Sequence, residues 1–126
     1  MRAILTFHSI DDSGSVLAYS PSSFSQLIQS LADTGIPILD LDALLQPQTS
    51  RGMAITFDDG MQSVHRHALP VLREHGIPAH LFLATGAAGD DRSWPRDPCD
   101  GHTFQMLDWD ELEALHAAGV RIDSHT

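Results

Sequence analysis

Short apolar runs that alternate with amphipathic helical segments constrain the fold of this chain more than any other feature. The segments between the runs carry apolar residues at helical spacing and end near a glycine. The strand-like runs are AILTFH at 3–8, the start of IPILDLDALLQ at 36–46, GMAITF at 52–57, IPAHLFLAT at 77–85 and VRIDSHT at 120–126. Strands that alternate with helices in this way favour an α/β fold, in which helices pack outside a parallel sheet.

Capping residues and one proline predict where the helices begin and where one of them is distorted. Ser20 suits the N-cap of the first helix. Pro70 should break or kink the helix that follows the third strand. Asp108 is followed three residues later by Glu111, a capping-box pattern that starts another helix. Trp109, at the start of that helix, is predicted to pack against the rest of the protein.

The composition is that of one acidic globular domain. The chain has 126 residues, enough for one domain at most, and its 42% hydrophobic content can build a core. A net charge of −10 argues against a nucleic-acid partner, which would need clustered Lys and Arg. No apolar run approaches the roughly 20 residues needed to span a bilayer. The first residues do not read as a signal peptide, so a cytoplasmic location is expected.

Acidic and imidazole side chains stand where the predicted strands end. His8 ends the first strand, Asp58 and Asp59 end the third, and His125 ends the fifth. Because the carboxyl ends of parallel strands share one edge of a sheet, these side chains can converge. Of two adjacent carboxylates, one can bind a cation while the other stays ionised as a base. The alternative is that DDG is only a turn, with an aspartate capping the next helix.

Two motifs resemble the polysaccharide deacetylases, the NodB-homology or carbohydrate esterase family 4 domain. TFDDG at 56–60 is similar to the first motif of that family, and SHT at 124–126 resembles the opening of its second motif. The segments LTFHSID, ALPVLREHGIPAHLFLATG and MLDWDELEALHAAGVRIDSHT are similar to the family as well, so the resemblance covers essentially all of 1–126. It implies a distorted (β/α) barrel of about seven or eight strands, of which this chain would supply about five as a partial barrel.

The resemblance also implies a role for each matching residue. Asp58 corresponds to the catalytic base that takes a proton from water, and Asp59 and His125 correspond to ligands of a divalent metal ion. Zinc is the expected ion, with cobalt, nickel and manganese as alternatives. The implied reaction is hydrolytic removal of acetyl groups from N- or O-acetylated glycans, such as exopolysaccharide, chitin-like polymers or peptidoglycan.

The family pattern is matched only in part. Its second histidine ligand and its later motifs, including a histidine that would protonate the leaving amine, have no counterpart in 1–126. We therefore expect the N-terminal portion of a deacetylase domain, with weak metal binding and little activity alone. An open edge at the fifth strand is expected to favour self-association. The alternative function is that of a non-catalytic remnant that binds glycan or another chain.

Three further residues have two interpretations each. His8 can line the mouth formed by the strand ends and contact substrate, or it can bond to a neighbouring loop. Trp94, in the aperiodic segment 86–105, can stack on a sugar ring or shield the core. Asp123 stands where the family prefers a small residue, and it either bonds a neighbouring histidine or faces solvent.

Overall fold

A parallel sheet of four strands forms the frame of the protein. The computed structural model describes residues 1–88 and 101–126 in full and residues 93–96 by their backbone. The strands are β1 (Arg2–Phe7), β2 (Ser9–Ile10), β3 (Ala18–Tyr19), β4 (Gly52–Asp59), β5 (His80–Ala84), β6 (Ser93–Arg96), β7 (Thr103–Gln105) and β8 (Arg121–His125). The helices are α1 (Pro21–Asp33), α2 (Leu41–Leu45), α3 (Leu69–Glu74) and α4 (Trp109–Ala117), with a π-helical turn at Val64–Ala68 and a 3₁₀ turn at Thr85–Ala87.

The four strands of the sheet lie in the order β1-β4-β5-β8, and each neighbouring pair is parallel. The predicted α/β class is confirmed. Within the described residues the sheet stays open, which agrees with a partial barrel. The strand predicted at the start of 36–46 is reduced to a single parallel bridge between Ile38 and Met53, so the sheet has four full strands where about five were expected.

Alternation along the strands gives the sheet one apolar face and one polar face. Phe57, Leu81 and Leu83 are buried on the apolar face, where α1, α3 and α4 cover them. The core residues of these helices include Phe24 and Ile28 of α1, Leu72 of α3, and Leu112 and Leu115 of α4. The opposite face carries the side chains of Thr56, Asp58 and their neighbours in register, so it is the face that leads to the strand ends.

The predicted caps at Ser20 and Asp108 are confirmed. Ser20 accepts a hydrogen bond from the N–H of Ser23 at 3.2 Å. Asp108 accepts one from the N–H of Glu111 at 2.8 Å, and the Glu111 side chain accepts one from the N–H of Asp108 at 3.0 Å. The prediction for Trp109 was wrong, because 63% of this residue is exposed.

The distortion predicted at Pro70 takes the form of a π-helical turn. The N–H of Leu69 donates to the carbonyl of Val64, five residues back, and α3 begins directly after this wider turn. Proline has no N–H, and its ring clashes with the carbonyl four residues earlier in a regular helix. A wider turn just before the proline relieves that clash.

The aperiodic segment 86–105 contains a hairpin that its sequence did not reveal. β6 and β7 pair antiparallel, with Ser93 opposite Gln105 and Arg96 opposite Thr103. These strands are too short for a period to show, and a proline lies within β6. Trp94 belongs to β6, and its side chain is outside the described part of the structure.

The strand β8 lies at one edge of the sheet, and β5 is its only strand neighbour among the described residues. Self-association through this edge stays a prediction. In the described ranges no helix is both long enough and apolar enough to cross a bilayer.

A tight turn ends β4. Asp59 has a φ of 72° and Gly60 a φ of 96°, and the N–H of Gly60 donates to the carbonyl of Asp58 at 2.9 Å. A Cβ atom on Gly60 would lie 2.4 Å from Cδ1 of Leu83. Position 60 therefore needs glycine both for its backbone conformation and for its close approach to β5.

We expect Gly60→Ala to lower the free energy of unfolding by about 1–3 kcal/mol, because strain and overpacking act together. Urea denaturation measures the change. Gly86→Ala is the matched control, since a Cβ there meets nothing within 4 Å and its φ is not in the left-handed region. That control should stay within about 0.5 kcal/mol of the wild type. Equal midpoints for the two variants would contradict the proposed role of Gly60.

Candidate metal centre

Four titratable side chains from three strand ends meet at one edge of the sheet. Asp58 and Asp59 are the last residues of β4, His125 is the last of β8, and His8 directly follows β1. The parallel register explains the meeting, since Asp59 lies opposite Leu83 and His125 lies one position further, opposite Ala84. The predicted convergence of the strand ends is therefore what the structure shows.

Both carboxylates approach the same imidazole. Nε2 of His125 lies 4.0 Å from Oδ2 of Asp58 and 3.8 Å from Oδ1 of Asp59. In a regular strand, adjacent side chains point to opposite faces. The left-handed backbone of Asp59 breaks that alternation, so two consecutive carboxylates reach one place. The turn interpretation of DDG was therefore correct for the backbone, but the turn also assembles the charged cluster.

The distance between Asp59 and His125 fits a shared cation. Zinc lies about 2.0–2.2 Å from oxygen and nitrogen ligands, so two ligands on a tetrahedral ion are about 3.4 Å apart. The 3.8 Å gap between Oδ1 of Asp59 and Nε2 of His125 needs only a small adjustment. In the described part of the chain, however, no group of three or more His, Cys, Asp or Glu side chains is arranged to hold a metal ion. These residues therefore offer a two-point site.

His8 stands beside Asp58. Its Nε2 lies 3.9 Å from Oδ2 of Asp58, which is too long for a hydrogen bond and close enough for charge interaction. Both side chains are partly exposed. The position places His8 at the mouth formed by the strand ends, and its contact with substrate stays a prediction.

Hydroxyl groups fasten the segment that follows β1 to the segment that follows β4. Oγ of Ser63 lies 2.8 Å from Oγ of Ser9 and accepts a hydrogen bond from the N–H of Ile10 at 2.9 Å. Ser9 also donates to the carboxylate of Asp11. Burial acts to raise the pKa of Asp11, but hydrogen bonds from Ser13 and Ser9 outweigh it, and the pKa lies below its usual value. An ionised Asp11 therefore accepts these hydrogen bonds at neutral pH.

A polar pocket of about 220 Å³ opens next to the strand ends. Ser9, which follows His8, and Gln62, three residues after Asp59, both line it. Its other polar lining residues include Asp11, Ser63, Arg66, His67, His102 and Gln105. Sequence reasoning missed this pocket because its walls come from three separate segments, none of which carries a motif.

Both interpretations of Asp123 hold in the structure. Oδ2 of Asp123 lies 2.7 Å from Nε2 of His80, whose side chain is 6% exposed. Asp123 bonds a neighbouring histidine, and it also faces solvent, because 49% of its side chain is exposed. No pattern in the sequence singles out His80, which lies in the apolar run of β5.

The chain is similar to proteins of one family. Residues 46–126 match the family model described as polysaccharide deacetylase. A poly-β-1,6-N-acetyl-D-glucosamine N-deacetylase of Staphylococcus aureus is 29% identical over 77 residues, which are 60% of this chain and 24% of that protein. YxkH of Bacillus subtilis is 26% identical over 129 residues, covering 98% of this chain and 41% of that protein.

A solved structure has a similar fold. IcaB from Ammonifex degensii superposes with a TM-score of 0.81 at 28% identity, over 99% of this chain and 52% of that one. The chain thus spans about half or less of the length of these relatives.

Proposed function

Since the chain belongs to the polysaccharide deacetylase family, we propose that it carries the base and two metal ligands of a hydrolase that removes acetyl groups from acetylated glycans. The observation that carries the proposal is the approach of Asp58 and Asp59 to within 4.0 Å of the same His125 nitrogen. N-acetylated exopolysaccharide is the favoured substrate class, because one relative is named for a polymer of N-acetylglucosamine. Chitin-like polymers, peptidoglycan and O-acetylated glycans are the alternatives.

The reaction is amide hydrolysis. The oxygen of water adds to the acetyl carbonyl carbon, the carbon–nitrogen bond breaks as the leaving nitrogen takes up a proton that comes from the water, and acetate and the sugar amine are released. Such a reaction needs a base for the water, stabilisation of the developing oxyanion and a proton for the amine. In residues 1–126, Asp58 is the residue proposed as the base for the water.

Asp58 is suited to the role of base by its position. Its Oδ2 faces the strand-end mouth between two imidazoles, 3.9 Å from His8 and 4.0 Å from His125. The carboxylate is partly exposed, so a water molecule can reach it.

Asp59 and His125 would hold the divalent ion. Asp59 is the more buried of the two aspartates, and its oxygen together with an imidazole nitrogen suits zinc first, with cobalt, nickel and manganese as alternatives. When bound, such an ion supplies Lewis-acid polarisation of the carbonyl and a lower pKa for the attacking water.

Glycan contacts are proposed at His8 and at the exposed Trp109. The N–H of Leu107, two residues before the exposed Trp109, donates to the carbonyl of Gly60 at 2.9 Å, so the segment that leads into α4 is attached to the turn after β4. An exposed indole offers a flat apolar face to a sugar ring. Trp94 stays a prediction of the same kind.

We expect Asp59→Ala to abolish zinc retention by the chain, because one of its two protein ligands is lost. Equilibrium dialysis followed by elemental analysis measures bound zinc. Asp58→Asn should keep most of the zinc, since its proposed role is that of a base. Asp110→Ala removes an exposed carboxylate of α4 and is the matched control. Zinc retention in Asp59→Ala equal to that of the wild type would refute the metal site.

The 126-residue chain by itself should deacetylate a chito-oligosaccharide no faster than Asp58→Asn. Two protein ligands hold a metal weakly, and the described residues offer no third. Acetate release measured over hours with added zinc tests this expectation. A clear rate in the wild type that Asp58→Asn loses would show that two ligands are sufficient. Glycan binding without zinc binding would favour the non-catalytic alternative.

Tryptophan emission can locate the glycan contact, since the chain has two tryptophans. We expect N-acetylglucosamine oligomers to change the emission of Trp94→Phe, which keeps the exposed Trp109. Trp109→Phe should respond less, because its indole would no longer stack on the sugar. The opposite result would assign the stacking contact to Trp94.

A further inference from the structure

The strand that carries His125 is held from one side. Among the described residues β8 pairs only with β5, and His125 stands opposite Ala84, whose methyl group offers little for an imidazole to pack on. The last residues of an edge strand are the part of a sheet that opens most readily. A side-chain contact in addition to the backbone hydrogen bonds is therefore expected to keep His125 next to the two carboxylates of β4.

Apolar packing specifies the register of β8 only weakly. Of its five residues, only Ile122 packs against the core, and it is partly exposed. A slip of one residue would turn every side chain of β8 to the other face, so that His125 would point away from Asp58 and Asp59. The position of the proposed metal ligand thus depends on whatever fixes this register.

A diagonal pair of side chains supplies a second link between β5 and β8. His80 lies opposite Arg121 in the ladder, yet its Nε2 reaches Oδ2 of Asp123, two residues along, at 2.7 Å. The ring of His80 is 6% exposed and stacks on Phe82 with a centroid distance of 4.5 Å and an angle of 15°. Burial and stacking hold the imidazole in place, so it is a firm anchor for the more exposed Asp123.

The pair acts on the face that carries the metal centre. Asp123 and His125 are two residues apart on one strand, so their side chains share a face. Asp123 pairs in register with Phe82, which in turn pairs with Asp58. Anchoring Asp123 to His80 therefore fixes the face on which His125 stands.

Arg121 and Asp42 extend the His80–Asp123 pair into a network, but their exposed contacts contribute less to the stability of β8. Arg121 forms an ion pair with Asp42, and its Nε lies 3.4 Å from Oδ2 of Asp123. About half of each of these side chains is exposed, and exposed ion pairs contribute little to stability. The buried end of the network, at His80, is the part that can hold a strand in register.

We propose that the His80–Asp123 pair is a positioning device that locks the register of β8 and thereby presents His125 to the metal. The inference rests on the proposed function, because it assigns His125 to a metal site. Neither residue is proposed to touch the metal or the substrate. The pair acts through the backbone of β8.

The test compares Asp123→Ala and His80→Leu with Asp42→Ala, a matched truncation at the exposed end of the network. Two quantities are measured on the full chain: amide hydrogen exchange along β8, and affinity for Co²⁺ followed by its visible absorption, which reports the ligand set. Both test variants should exchange about tenfold or more faster at Ser124 and His125. They should also bind Co²⁺ about 2- to 30-fold more weakly. Asp42→Ala should change neither quantity.

A conservative variant separates positioning from general stability. Gln places an amide nitrogen close to the position of the imidazole Nε2, so His80→Gln should recover most of the exchange protection and of the Co²⁺ spectrum. In the His80→Leu/Asp123→Ala double variant the affinity should fall no further than in either single variant. If His80→Leu fails to fold, Asp123→Ala still tests the positioning role. This variant is expected to fold, because it truncates a half-exposed side chain.

Unchanged exchange at His125 in Asp123→Ala would overturn the positioning role. Faster exchange with unchanged Co²⁺ affinity and spectrum would also overturn it, because the pair would then be structural only. If the wild type binds no Co²⁺, the proposed metal site fails. In that case the amide exchange rates of Asp123→Ala and His80→Gln still show whether the His80–Asp123 pair fixes the register of β8.

Discussion

The parallel hydrogen-bond ladder between β4, β5 and β8 is the constraint on which the rest of this structure depends. Parallel pairing brings the carboxyl ends of strands to one edge. Asp59 and His125 are far apart in the sequence, and they become neighbours because β5 stands between their strands and holds both in register. An antiparallel pairing of β5 and β8 would send His125 to the opposite edge and separate it from the carboxylates.

The chemistry of this edge comes from one irregularity in an otherwise regular strand. The left-handed conformation of Asp59 costs backbone strain, and a Cβ atom on Gly60 would force Cδ1 of the buried Leu83 to shift. In return, two consecutive carboxylates reach the same imidazole. Two carboxylates thus reach one place without being supplied by separate strands, as the proposed roles of base and metal ligand require.

Much of the fold could be predicted from the sequence because local forces decide it. Capping boxes, proline effects and the order of strands and helices act over a few residues, and the cap at Asp108, the distortion at Pro70 and the parallel sheet all followed from them. The β6–β7 hairpin did not, because strands this short have no readable period. The exposure of Trp109 was also wrongly predicted, since helical position says nothing about what lies across from a side chain.

The sequence by itself determined the types of residue that stand at the strand ends, and the motif around Asp58 and Asp59 was sufficient to indicate the family to which the chain belongs. Tertiary structure alone decided the distances between them, the walls of the polar pocket beside Ser9 and the partner of Asp123. The physical reason is that capping and turn preferences are properties of neighbouring residues. A contact such as His80 with Asp123 depends on the register of two strands, which is set only when the whole sheet assembles.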